Sequence, residues 1–111
     1  MKMKRMLTVA SLFTVATMMI GPVARADETN GATIYKAKCA MCHGADGKGE
    51  TPMGKNLKLK DLSSDDVQKV HDSEIKTLIE NGNGKMPAMK GKLSDKQVED
   101  VVQYVRTLKK K

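Results

Sequence analysis

The two cysteines of this 111-residue chain stand three positions apart, in Cys39-Ala40-Met41-Cys42-His43. At the end of a helix, positions i and i+3 point the same way. Two thiols so placed can add to the two vinyl groups along one edge of a haem while the next residue, His43, offers its imidazole to the iron. C-x-x-C-H is the attachment pattern for c-type haem. Other chemistries fit less well. A thioredoxin-type dithiol sits between a strand and a helix, whereas a helical pattern precedes this motif and a Gly-rich stretch follows it. A zinc site needs about four ligands, and beyond Cys39, Cys42 and His43 the remaining good candidate is His71. A disulfide closing so short a loop would restrain the unfolded chain little.

A haem iron held by His43 has one further axial position, and what fills it separates electron transfer from ligand chemistry. Beyond the N-terminal segment the methionines are Met41, Met53, Met86 and Met89. Met41 lies inside the attachment motif and cannot cross to the opposite face, and Met53 is too near His43 in sequence. Met86 and Met89 lie some forty residues on, in a loop set off by Gly82-Asn83-Gly84 and stiffened by Pro87. Residue type and spacing leave these two equal, each competing with a role as a gap-filling core methionine.

The elements that must carry these groups follow from patterning. Met1 to Ala26 carries Lys2, Lys4 and Arg5, then 14 mostly apolar residues from Leu7 to Ile20, then Gly21-Pro22 and Ala24-Arg25-Ala26. This reads as a secretory signal peptide cut after Ala26, too short to remain as a membrane anchor, leaving a single domain over residues 27–111. Those 85 residues hold 16 Lys+Arg against 13 Asp+Glu, a net charge of +3 in place of the +7 of the whole chain. Both signs are interspersed, which argues against nucleic-acid binding.

The same 85 residues contain no Phe or Trp, and their 15 Leu, Ile and Val are few for a self-sufficient core. Yet helical periodicity is strong. Asn30–Cys39 places Gly31, Tyr35 and Cys39 on one face. Ser63-Ser64-Asp65-Asp66 opens a short helix towards Val67 and Val70, and Ile75, Leu78 and Ile79 mark another that ends at Asn81-Gly82. Ser94 and Gln97 form a capping-box pair ahead of the stripe Val98, Val101, Val102, Val105, Leu108. Gly44–Gly49, Thr51–Lys60 and Lys85–Lys92 read as irregular chain. About four helices and no strands make an all-α domain that needs a non-protein group at its centre.

Three separated stretches, Lys38 to Gly47, Asn81 to Met89, and the helix ending in Tyr104-Val105, together resemble class I cytochrome c, particularly its small single-haem bacterial and photosynthetic members. The resemblance covers essentially residues 29–109. It implies one haem c bound through Cys39 and Cys42, with His43 and Met86 as the axial pair, since in this family the methionine before Pro-Ala is the ligand. It implies that the first and last helices cross, with Gly31 permitting close approach and Tyr35 packing near Val101 and Tyr104. It also makes Pro52 the residue whose carbonyl accepts the proton on the far nitrogen of His43, a bond that would fix the ring.

The expected function is therefore that of a soluble, exported, monomeric one-electron carrier in the periplasm, not an enzyme, with redox proteins as partners. The competing function is a haem protein whose methionine is displaced by small ligands or peroxide. Lys36, Lys38, Lys48, Lys55, Lys85, Lys90 and Lys92 flank the haem-bearing segments in sequence. They read either as a docking ring for acidic partners or as an ordinary solvated surface. His71 reads as a solvated residue at a helix C-terminus, and Lys109–Lys111 as a frayed tail.

Overall fold

The computed structural model describes residues 14–17 and 27–110. The expected signal peptide, residues 1–26, lies outside them apart from 14–17, as does Lys111. Within the described residues the chain forms α1 (Glu28–Lys38), α2 (Ala40–His43), α3 (Pro52–Leu57), α4 (Asp65–Gln68), α5 (Asp72–Asn81) and α6 (Asp95–Thr107), with two isolated β-bridges and no strands. No helix among them is long and apolar enough to cross a membrane.

The caps explain the boundaries. The Asp27 side chain accepts from the amides of Thr29 and Asn30, so α1 begins two residues before the expected Asn30. Ser94 and Gln97 form the expected reciprocal capping box on α6. Thr51–Lys60, expected to be irregular, contains α3. Thr51 caps it through Gly54 N, and Pro52 takes the first helical position, where its missing N–H is no loss. Six residues without an apolar period carry no other signal. His71 is exposed as expected, but it stands at the N-cap of α5 instead of a helix C-terminus.

The frame is the crossing of α1 with α6. At Gly31 a Cβ would overlap the Asp100 carbonyl and lie 3.1 Å from Cβ of Tyr104, so only glycine lets the backbones meet. Four residues on, Tyr35 is buried with its ring centroid 5.0 Å from that of Tyr104. Asp100 is fully buried in the joint. It accepts from Asp27 N at 2.6 Å and Asn30 Nδ2 at 2.7 Å. Burial pushes its carboxyl pKa up, but the donors from Asn30, Asp27 and Lys96 outweigh burial and hold it below the usual value. Replacing Gly31 with Leu should cost at least roughly 3 kcal/mol, because backbone rather than a flexible side chain must yield. Thermal unfolding of the haem-loaded variant measures this; an unchanged midpoint would refute so tight a crossing.

Val98, Val101, Val102 and Val105 of α6 join Tyr35, Ile75, Ile79 and Met89 in one buried cluster. Arg106 ties the α4–α5 junction to α6. Its Nη1 donates to Gln68 O at 2.7 Å, Nη2 bonds Val70 O, and Nε reaches Asp72 Oδ1 at 2.8 Å. By contrast, α2, α3 and α4 bury no apolar side chain.

Candidate haem site

Cys39 is the hinge between two helices. Its amide closes α1 on Tyr35 O at 2.8 Å, and its carbonyl then accepts from Cys42 N at 3.2 Å and His43 N at 3.0 Å. The motif thus occupies a single turn, with Met41 turned out at 80% exposure and both thiols partly buried and unpaired.

The carbonyls that follow are each taken. Thr51 Oγ1 donates to Cys42 O at 2.6 Å, Gly49 N to His43 O at 2.7 Å, and the Tyr35 hydroxyl to Gly44 O at 2.7 Å. Gly54 sits against this cradle, where a Cβ would overlap the Gly49 carbonyl and come within 2.6 Å of Cys42 O. The roles of Thr51, Gly54 and the Tyr35 hydroxyl were not evident from sequence. A Thr-Pro pair and a glycine in a loop were the available signals, and neither says which carbonyl is met.

Burial pushes the Cys39 thiol up to about 11, with Cys42 adding to it. A dithiol oxidoreductase needs the opposite shift, towards thiolate. Among the described residues no three His, Cys, Asp or Glu side chains are placed to hold a metal ion.

Nδ1 of His43 is buried without a hydrogen-bond partner, and burial lowers the imidazole pKa. The expected bond to Pro52 is therefore absent. Pro52 opens α3, where a carbonyl is directed along the helix axis towards position i+4.

The α5–α6 loop holds the methionines. Gly82 ends α5 at φ 72°, and a Cβ there would come within 2.6 Å of Met86 O and 2.8 Å of Ala88 N. Asn83 and Met86 exchange backbone bonds of 3.1 and 2.9 Å, forming a tight tip. Met89 N and Lys90 N then return to Ile79 O and Glu80 O at 2.9 and 3.0 Å. Met89 is a core residue, 7% exposed, whereas Met86 is partly buried against the same cluster that Cys39 touches. Met53 is 46% exposed.

The family described as "Cytochrome C oxidase, cbb3-type, subunit III" matches residues 26–105. Cytochrome c6 of Nostoc sp. (strain PCC 7120) is 41% identical over 95 residues, 86% of this chain and 81% of the relative. The chain belongs to the class I cytochromes c. Cytochrome c6 of Synechococcus sp. (strain ATCC 27167) is 36% identical across 93% of this cytochrome and 91% of its own length. The solved structure of KustC0563 c-type cytochrome superposes with a TM-score of 0.68 at 33% identity, covering 72% of this cytochrome and 98% of that chain. The all-α cytochrome fold is thereby established.

The residues of this cytochrome fit a covalent haem. Two unpaired thiols lie in one turn beside an imidazole whose Nδ1 is turned into protein, so that Nε2 is the nitrogen that would be available to an iron. The helix that carries the motif and the two that follow it in sequence bury no apolar side chain of their own.

Proposed function

We propose that this cytochrome is an exported one-electron carrier whose haem is bound through Cys39 and Cys42, with His43 and Met86 on the iron. The near full-length similarity to cytochromes c6 carries this reading. When bound, the haem supplies a metal that cycles between Fe(III) and Fe(II), its ferrous form favoured by a thioether ligand.

The chain's own part is to hold ligands still. The bonds on the Cys42, His43 and Gly44 carbonyls fix the backbone that presents His43. Assignment of Met86 is supported by the position of Met89, which packs in the buried core. With His43 and Met86 both holding the iron, no position would be left for a substrate, so the protein would carry electrons without catalysing a reaction.

Export places the domain, residues 27–111, in the periplasm after cleavage at Ala26. Lys36, Lys38, Lys48, Lys55, Lys85, Lys90 and Lys92 are all exposed, and none joins an ion pair among the described residues. Such free cations suit brief encounters with acidic redox partners, steered by charge and weakened by salt.

The test is the oxidised and reduced spectra of protein from cells that attach c-type haem, followed by exposure to carbon monoxide. Haem that survives denaturing solvent, in a low-spin protein that refuses the gas at neutral pH, is the expected result. Tight gas binding would turn the reading towards ligand or peroxide chemistry.

A further inference from the structure

The amide nitrogen of Asp27 lies 2.6 Å from Oδ1 of Asp100, whose side chain is 0% exposed. Oδ2 accepts from Asn30 Nδ2 at 2.7 Å. The cation on this carboxylate is Lys96, 3.2 Å from both oxygens and itself 48% exposed. A carboxylate taken wholly out of water is costly unless it is paired and its lone pairs are satisfied. Its other two donors, Asn30 Nδ2 and the Asp27 nitrogen, bring hydrogen bonds, and Lys96, half in solvent, brings the charge.

Asp27 directly follows Ala24-Arg25-Ala26, the proposed cleavage sequence. Hydrolysis there adds one water across the Ala26–Asp27 bond, leaving a carboxylate on Ala26 and, after protonation, an α-ammonium on Asp27. In the precursor the same nitrogen is a neutral amide.

We propose that the processed N-terminus is a working group of the fold: the α-ammonium of Asp27, created by removing residues 1–26, forms an ion pair with buried Asp100 that locks α1 onto α6. This rests on the export reading above.

The groups facing that ammonium are Asp100 and Lys96 from α6 and the carboxylate of Asp27 itself, already engaged by the amides of Thr29 and Asn30. Two carboxylates outweigh one lysine that solvent screens. An ordinary α-amine titrates near pH 7.7–8.0; here its pKa rises by at least about one unit, as for other groups beside an opposite charge. The sign follows: the stabilisation is complete below the ordinary α-amine pKa and is lost as pH rises through the elevated folded value.

The experiment uses the haem-loaded protein exported from the full chain. Mass spectrometry locates its terminus, and reductive 13C-methylation lets NMR titrate the α-amine. A terminus at Asp27 with a pKa raised by one unit or more, restored to the ordinary value in Asp100→Asn, is the expected result. Should Asp100→Asn fail to fold, one glycine inserted between Ala26 and Asp27 displaces the ammonium while keeping Asp100. That variant should show an ordinary α-amine and a melting point about 5 °C lower at pH 7, a gap that closes above pH 10. A terminus at Asp27 with an ordinary pKa overturns the ion pair and leaves the cleavage site standing. A terminus elsewhere overturns both.

Discussion

Replacing Met86 with Ala should abolish the weak far-red absorption band of a methionine–iron bond, open the haem to carbon monoxide, and lower the potential by on the order of 0.2 V. That drop is a fraction of the roughly 0.8 V span that axial ligands control. Replacing Met89 with Ala should do none of this. Met89 is 7% exposed within the Tyr35, Ile79, Val98 cluster, so its truncation leaves a cavity and costs about 3 kcal/mol with the band intact. The two variants therefore separate ligand from core residue. Spectra at neutral pH and denaturant midpoints of the loaded proteins measure both. Loss of the band in the Met89 variant, with Met86 unchanged in effect, would reverse the assignment.

The second large effect is expected from Cys39→Ala with Cys42→Ala, which denies the chain its covalent haem. The buried apolar side chains come from α1, α5, α6 and the loop between the last two. Between Ala40 and Gln68 the helices bury Gly54 and no apolar side chain, and Ala40 and Leu62 pack on the core only partly buried, so ordering that stretch has little burial of its own to oppose an entropy cost of roughly 1–2 kcal/mol per residue. The apoprotein should lose most of its helical circular dichroism and show no cooperative thermal transition. A haem-free variant that melts cooperatively with the helix content of the loaded protein would refute this account.

Legibility in the sequence followed apolar content and caps. The helix α6 was evident because its stripe of Val residues coincides with its buried face and Ser94 announces its start. The short helix α3 was not, since six residues with one partly buried leucine have no period to read, though Thr51-Pro52 marks its opening. The same limit applies to the site. Local spacing exposed Cys39, Cys42 and His43, and family resemblance singled out Met86. Packing was needed to place Met89 in the core and to reveal Asp100, because nothing in the pattern Glu99-Asp100-Val101 distinguishes a buried carboxylate from a solvated one. The bond from His43 Nδ1 to the Pro52 carbonyl, implied by resemblance, is absent, and such pairings depend on carbonyl direction, which residue type does not encode.

The α1–α6 joint has a consequence for how the chain folds. Asp27 and Asn30 meet a partner 73 and 70 residues away, so the joint closes nearly the whole domain into a ring. Such long-range contacts are entropically late and slow folding. The attachment motif follows directly from α1, so the α1–α6 joint also closes the chain around the segment that carries the two thiols. Truncation at or before Asp100 therefore costs more than the residues removed: it opens the ring, and tension applied at the two ends of the domain falls first on that one joint.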